Sequence, residues 1–206
     1  MSMRFRSFTV ATVAMVTSAV AVGAAPLTAV ASPPVVLSAA PAADGEPILP
    51  PGTDQPFSLR VTTPRLTNRY AATARGFGVT AIVTAGSTTA LKQAATFIAR
   101  RGLATSECYS FESRTTPGQF LRHSRFRILL HANDGSAQFA SDATFCAVGG
   151  HTPNGLSWQS FNFPARYLRH YNSQLWIASN GGRLASDTPV NWANDTTWFT
   201  AGPWAP

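Results

Sequence analysis

Charged residues are scarce in this chain, and acidic ones are the scarcest. Only 12% of its 206 residues are Asp, Glu, Lys or Arg, and 9 acidic side chains face 16 basic ones. The formal net charge is +7, and it falls to +5 when the two arginines near the start, Arg4 and Arg6, are subtracted. The remaining arginines are scattered and form no Lys/Arg run. We therefore expect no nucleic-acid partner.

Patterns of metal sites and nucleophilic enzymes are also missing. The four histidines show no close spacing, so we predict no metal site, and no cofactor motif is present. Ser58, Ser110 and Ser157 lack the surrounding glycines of a nucleophile elbow. Glycoside hydrolysis usually requires a pair of carboxyl groups, but Glu107 and Glu112 do not recur in the chain's repeats. We therefore assign no catalytic residue.

Only two cysteines occur, Cys108 and Cys146. An even number in an exported chain favours a disulfide between them over two buried free thiols. Export is indicated by the first residues, because Arg4 and Arg6 precede an uncharged, apolar run. A small-x-small cleavage site ends at Ala31, and a cut after Ala24 is an alternative.

Residues 1–31 are therefore predicted to be a secretory signal peptide, and the protein to be extracellular. A membrane anchor is the alternative, but the strongly apolar part is short for a span and no later segment resembles one. Residues 32–56 are rich in Pro and Ala, and we expect them to form a disordered linker.

Long helical periodicity is absent from the rest of the chain. Short segments rich in β-branched and aromatic residues alternate with Asn-Gly and Asp-Gly turn signals, which predicts β-hairpins. Such segments are Phe77 to Thr84, Phe126 to His131 and Gln174 to Ala178. Residues 91–101 also fit a helix, but the repeat pattern described next favours the β interpretation.

A repeated sequence accounts for the whole of this region. Ser110-Phe-Glu-Ser continues to Phe120-Leu-Arg-His, and Ser157-Trp-Gln-Ser continues to Tyr167-Leu-Arg-His. An eroded copy begins at Ser58, and each copy ends in a small-Thr-aromatic sequence. Three units of about fifty residues predict an all-β fold, a β-trefoil spanning residues 57–204. Its repeats are predicted at 57–108, 109–155 and 156–204, with the recurring aromatics Phe111, Phe145, Trp158 and Trp198 in the core.

Two imidazole–carboxylate pairs recur at equivalent positions and are the candidate ligand sites. They are His123 with Asp142, and His170 with Asp195. Carboxylates accept hydrogen bonds from sugar hydroxyls, and neutral imidazole both donates and accepts. The alternative is that each pair only braces a hairpin, and Asp187 is a rival for Asp195.

The first repeat lacks both members of the pair, having Thr73 and Ala94 instead. Their joint loss favours a shared ligand site over two independent structural residues.

These motifs resemble the arabinose-binding domain of α-L-arabinofuranosidase B, carbohydrate-binding module family 42. The resemblance covers about residues 57 to 204 and includes Leu-Arg-His and Ser-Asp-Ala-Thr-Phe-Cys. It implies a β-trefoil that binds arabinofuranose through His123, Asp142, His170 and Asp195. Tyr171 is implied as a pocket wall or hydroxyl donor, with Ser124 as its counterpart.

The resemblance implies a secreted, non-catalytic module, expected to be a monomer away from membranes. Its partner would be a polysaccharide carrying arabinofuranosyl side chains, such as arabinoxylan or arabinan. Two alternatives remain, a small α-L-arabinofuranosidase and a trefoil inhibitor or other protein-binding module. Trp176 and Trp192 are weaker candidates for contacts with the polysaccharide.

Overall fold

The computed structural model describes residues 50–206. The predicted signal peptide, residues 1–31, and the predicted linker up to residue 49 lie outside the described residues.

Three successive units have the same order of elements: three strands, a short helix and a fourth strand. The first contains β1 (Pro56–Val61), β2 (Arg69–Ala74), β3 (Phe77–Ile82), α1 (Thr89–Ala94) and β4 (Phe97–Arg101). The second contains β5 (Tyr109–Ser113), β6 (Gln119–Ser124), β7 (Arg127–Ala132), α2 (Ala137–Asp142) and β8 (Phe145–Gly149). The third contains β9 (Leu156–Ser160), β10 (Tyr167–Tyr171), β11 (Gln174–Ala178), a 3-10 turn (Ala185–Asp187), α3 (Trp192–Asp195) and β12 (Thr197–Ala201).

The first and last strands of the units form a closed antiparallel ring in the order β1-β4-β5-β8-β9-β12, and β12 pairs with β1. The three middle hairpins pair with one another at one end of this ring and form a cap. Closure leaves the ring without a free edge, which removes a template for aggregation. The prediction of an all-β fold built from three repeats is confirmed.

Aromatic side chains from all three repeats fill the ring. Phe111, Phe145, Trp158 and Trp198 are all fully buried, as the repeat pattern predicted. Phe111 lies edge-on to Trp158 at 4.9 Å and is stacked on Phe145 at 5.6 Å between ring centroids. These side chains are among the largest that the fold removes fully from water.

The helix of each repeat is short, and the helices of the first two repeats begin at a hydroxyl cap. Thr88 caps α1 by accepting a hydrogen bond from the Leu91 N–H, and Ser136 caps α2 in the same way. The β interpretation of residues 91–101 is therefore wrong for its first part, since Leu91 to Ala94 are helical and only Phe97–Arg101 is a strand. The repeat frame located the segment correctly but did not reveal this local capping signal.

The disulfide between Cys108 and Cys146 is formed, with the two Cα atoms 4.4 Å apart, and the prediction is confirmed. It joins the residue before β5 to the second residue of β8. The fold also includes residues before the predicted boundary at residue 57. Asp54 donates its N–H to the Ala99 carbonyl, and Pro56 already pairs with Ile98, so the last residues assigned to the linker belong to the ring.

Candidate functional site

Each predicted aspartate is the last residue of a short helix, and each predicted histidine lies near the end of a strand. Asp142 ends α2 and Asp195 ends α3, and the equivalent residue at the end of α1 is Ala94. The structure brings His123 Nε2 to 3.2 Å from Asp142 Oδ1, and His170 Nε2 to 3.4 Å from Asp195 Oδ1. Residues distant in sequence thus meet in two places, although their use by a ligand stays a prediction.

The pocket around His123, called the repeat-two pocket, has a volume of about 300 Å³. It is lined by Arg122, His123, Ser124, Arg125, Phe126, Gln138, Asp142 and Phe163. His123 and Asp142 are only 4% and 3% exposed, so they form its floor and present a small face to solvent.

Asp142 is held by three donors from three different elements. Arg122 Nη2 lies 2.5 Å from Oδ2, while Gln138 Nε2 and Asn162 Nδ2 each lie 2.7 Å from Oδ1. His123 Nε2 lies 2.9 Å from Oδ1, the side-chain amide oxygen of Asn162. Because that oxygen only accepts, Nε2 is the protonated nitrogen of His123.

The pocket around His170, called the repeat-three pocket, is larger at about 500 Å³. Its lining includes Thr63, Leu66, Arg69, Thr80, His170, Tyr171, Ser173, Val190 and Asp195. The predicted Tyr171 therefore lies at this pocket, and the Arg169 guanidinium is 5.6 Å from the centre of its ring. Ser124, its predicted counterpart, lines the repeat-two pocket.

Asp195 is also held by a buried arginine and by a hydroxyl. The fully buried Arg169 places Nη2 3.0 Å from Asp195 Oδ2, and it also donates to the carbonyls of Ser186, Thr188 and Val190. Thr63 donates to Asp195 Oδ1 at 2.8 Å, and its oxygen lies 2.9 Å from His170 Nε2. Since the Thr63 proton points to the carboxylate, His170 Nε2 donates to Thr63.

Sequence reasoning missed Asn162 and Thr63, which occupy equivalent positions in different repeats. Each follows the first strand of its repeat by two residues, after β9 for Asn162 and after β1 for Thr63. Each contacts the aspartate of a neighbouring repeat. Asn162 of the third repeat bonds to Asp142 of the second, and Thr63 of the first repeat bonds to Asp195 of the third, because the ring is closed. The loop sequences around these two residues differ, so only their distance from the repeated serine could have identified them.

Burial keeps both histidines neutral near neutral pH. It lowers the pKa of His123, although the bond to Asn162 and the charge of Asp142 oppose this shift. Burial lowers the pKa of His170 to about 4, again against the attraction of Asp195. A neutral imidazole offers one donor and one acceptor, which suits hydroxyl groups.

Three other candidate residues lie outside both pockets. Asp187 is fully buried and accepts bonds from Arg166 and from the N–H groups of Ser179 and Leu184, so it stabilises the 3-10 turn. The Trp192 ring packs 4.2 Å from His151. Trp176 lies in the hairpin cap, where its ring is 5.1 Å from the Arg127 guanidinium.

Within residues 50–206, no group of three or more His, Cys, Asp or Glu side chains is arranged to hold a metal ion. Nor does any helix of this part of the chain have the length and apolarity required to cross a membrane.

Comparison with known proteins identifies relatives over most of the described region. An α-L-arabinofuranosidase from Hypocrea jecorina is 46% identical over 149 residues, covering 72% of this chain and 30% of its own length. An arabinofuranosidase/β-xylosidase from Trichoderma koningii is also 46% identical over 149 residues, with the same two coverages. This chain therefore spans about a third of the length of these relatives.

Solved structures give the same result. An arabinofuranosidase in complex with arabinofuranosyl-alpha-1,2-xylobiose matches with a TM-score of 0.75 and 41% identity, over 78% of this chain and 33% of that one. A β-trefoil protein, BEL, matches with a TM-score of 0.50 at 13% identity, over 74% of this chain and 95% of that one, which is a likeness of fold alone. The alpha-L-arabinofuranosidase B (ABFB) domain model matches residues 59–200, more than half of the chain. The chain therefore belongs to the alpha-L-arabinofuranosidase B domain family, also called carbohydrate-binding module family 42.

Proposed function

We propose that this protein is a secreted, non-catalytic β-trefoil module that binds arabinofuranosyl side chains of polysaccharides such as arabinoxylan or arabinan. One observation carries the proposal: two His–Asp couples lie on the floors of two pockets open to solvent. The family and the ligand of the solved arabinofuranosidase support arabinofuranose as the sugar.

The composition of both pockets suits a small sugar ring. Carboxylate oxygens accept hydrogen bonds from hydroxyls, and charge-assisted bonds are the stronger kind. Apolar side chains from the loop after the first strand stand beside the polar floor, Phe163 in the repeat-two pocket and Leu66 in the repeat-three pocket. These side chains are 39% and 37% exposed, so each can form an apolar wall of its pocket that contacts the carbon face of the sugar ring.

The number of carboxylates argues against hydrolysis as the main activity. Among the described residues, the lining of each pocket includes a single carboxylate, Asp142 or Asp195. Each of the two is paired with an arginine at 2.5 or 3.0 Å. A glycosidase usually holds two carboxyl groups on either side of the bond that it cleaves.

Two pockets on one rigid body would compensate for weak single sites. Simultaneous occupation by one branched polymer raises apparent affinity by roughly 10²–10⁴ when the spacing of side chains permits it. The proposal includes a signal peptide at 1–31, a linker that begins at residue 32 and ends before Asp54, a binding domain that extends to residue 204, and an extracellular, monomeric protein. The disulfide is consistent with an oxidising compartment.

Affinity electrophoresis in arabinoxylan-containing gels tests the proposal. Wild-type protein should be retarded, and the double variant His123→Ala with His170→Ala should migrate as it does without polysaccharide. Thr73→Ala is the matched control, because Thr73 holds the histidine position in the first repeat. Circular dichroism and thermal unfolding would establish that the double variant is folded.

The results also separate the two alternatives. Release of arabinose from an aryl arabinofuranoside by purified wild-type protein would support a small arabinofuranosidase. A folded double variant with unchanged retardation would mean that the His–Asp couples only brace their hairpins. Absence of glycan binding by the wild type on an array, together with capture of a protein partner that the double variant retains, would favour an inhibitor or protein-binding module.

A further inference from the structure

Two arginines at equivalent positions lie at the two pockets, and their contacts differ. Arg166 lies beside the repeat-two pocket, and Arg69 lines the repeat-three pocket. Each directly precedes the aromatic residue of a repeat, Tyr167 or Tyr70. Each also donates to the carbonyl of the residue eleven positions later, Arg166 to Ile177 and Arg69 to Thr80.

Arg166 is neutralised and covered. Its Nη1 lies 2.8 Å from Asp187 Oδ1, so a buried carboxylate balances its charge. The Phe126 ring lies over its guanidinium at 3.9 Å from the ring centre. Phe126 holds this place with a φ of 68°, a left-handed conformation that is costly for a bulky residue. The repeat-two pocket therefore ends at an aromatic wall, with no free charge behind it.

Arg69 is neither neutralised nor covered. Among residues 50–206, no acidic side chain lies within 4.0 Å of its guanidinium. The position of Phe126 is taken by Ser173, whose hydroxyl accepts a bond from Arg69 Nη2 at 2.9 Å. Arg69 therefore lines the repeat-three pocket, and this pocket is the larger of the two.

The other charges of the repeat-three pocket leave it with a positive excess. Asp195 is the carboxylate of the lining, and it is already paired with the buried Arg169. The charge of Arg69 reaches the pocket floor, where it contributes to lowering the pKa of His170. A ligand carboxylate placed at Arg69 would therefore meet an attractive field beside the sugar site.

We propose that the repeat-three pocket recognises an arabinofuranosyl unit together with the carboxylate of a neighbouring uronic acid in the same glycan. The inference rests on the proposed function and adds a substrate class to one of its two sites. Arg69 would bind the carboxylate through its guanidinium, and the His170–Asp195 couple would bind the pentose. The second residue would lie beside Ser173, in a pocket of about 500 Å³ compared with about 300 Å³ for the repeat-two pocket.

Arg69 is already oriented for this purpose. Its Nε donates to Thr80 Oγ1 at 3.1 Å, and its Nη2 is shared between the Thr80 carbonyl and Ser173. A side chain fixed before binding loses less entropy when the ligand arrives. Among the described residues, Nη1 of Arg69 has no hydrogen-bond partner, so its N–H groups are left for a carboxylate. The repeat-two pocket has an arginine on its rim, Arg125, but it stands exposed on a hairpin turn.

Isothermal titration calorimetry on a His123→Ala background tests the inference, because only the repeat-three pocket then binds. The two ligands are an arabinofuranosyl oligosaccharide with a uronic acid beside the pentose and the same oligosaccharide with that carboxylate reduced to an alcohol. We expect the acidic ligand to bind about tenfold more tightly at low salt, and the advantage to shrink as ionic strength rises.

Arg69→Gln should remove this advantage, so that the variant binds the acidic and the reduced ligand with equal affinity. Arg69→Lys should retain part of it, since the charge stays but the hydrogen bonds to Thr80 and Ser173 that orient the guanidinium are lost. Ser173→Phe should weaken the acidic ligand selectively by filling the extra volume. Arg75→Gln is the matched control and should bind both ligands like its parent, because Arg75 is exposed on the equivalent turn of the first repeat.

Equal affinity for the two ligands, or an advantage that survives Arg69→Gln, would overturn the inference while leaving the proposed function intact. Failure of the parent protein to bind even the reduced ligand would instead count against the proposed function. The thermal midpoint of Arg69→Gln distinguishes a lost contact from a lost fold, and Ser173→Phe gives an independent answer if that midpoint falls.

Discussion

The backbone N–H of Trp204 donates a hydrogen bond to the hydroxyl of Ser58 at 3.3 Å, across 146 residues of sequence. Leu103 makes the same bond to Ser110, and His151 makes it to Ser157. The next residue donates in each case to a threonine that directly precedes or begins the last strand of a repeat, as Ala205 does to Thr96. Residues 204 and 205 therefore make with the first repeat the same hydrogen bonds that elsewhere join two consecutive repeats.

Removal of residues 202–206 should destabilise the domain. The deletion would expose Tyr70, whose ring packs edge-on against Trp204 at 5.3 Å, and would leave the two hydroxyl acceptors without their donors. We expect a loss of about 2 kcal/mol in the free energy of unfolding, from lost burial and lost hydrogen bonds. Urea denaturation would measure it, with deletion of Pro206 alone as the control. An unchanged midpoint would show that the contact is dispensable.

Asn162→Ala should weaken the repeat-two pocket although Asn162 belongs to the third repeat. The substitution removes the acceptor of His123 Nε2 and one donor to Asp142. Loss of such bonds typically costs about 1–2 kcal/mol, or roughly tenfold in affinity. Calorimetry on a His170→Ala background would measure the change.

The control for Asn162→Ala is Thr115→Ala. Thr115 is exposed and holds the equivalent position in the second repeat, where the pocket that it would complete lacks both His and Asp. A loss of affinity as large as that of Asn162→Ala would contradict the assignment of pocket residues.

Stability should fall as the pH is lowered from about 6.5 toward 4.5. Burial lowers the pKa values of His123, His151 and His170, so the unfolded chain takes up protons in this window before the folded protein does. For His170, a fall from 6.5 to about 4 corresponds to about 3 kcal/mol once the shift is fully expressed.

Urea midpoints measured at pH 7, 5.5 and 4.5 would show this dependence. His170→Gln should flatten it, because the substituted side chain does not titrate. A wild-type midpoint that is constant over this range would mean that the histidines are not held neutral by the fold.

Loss of the disulfide should cost more than any single hydrogen bond. The bond joins Cys108 and Cys146, which are 38 residues apart, and closing a loop of this length restricts the unfolded chain by about 4 kcal/mol. Cys108→Ala with Cys146→Ala should lower the urea midpoint accordingly. Reduction of the wild type with dithiothreitol should shift its midpoint equally, and a shift under reduction alone would indicate damage other than loss of the bond.

The repeated motifs located the pairing of His123 with Asp142 and of His170 with Asp195, because repetition reveals which residues are equivalent. It did not reveal Asn162 and Thr63, since their loops differ in sequence and their contacts cross from one repeat to another. Nor did it reveal the structural role of Asp187, which lies in the insertion before α3 and pairs with Arg166. Comparison of the repeats with one another thus predicts the residues that the repeats share, and it misses the residues that one repeat contributes to the pocket of its neighbour.

The third repeat contributes to both pockets, with His170 and Asp195 in its own and Asn162 and Phe163 in that of the second repeat. The first and second repeats each contribute to one of these two pockets. Harmful substitutions in a saturation mutagenesis screen for glycan binding should therefore concentrate in residues 156–204. A copy of a single repeat could not reproduce either pocket, because each pocket is built from residues of two neighbouring repeats.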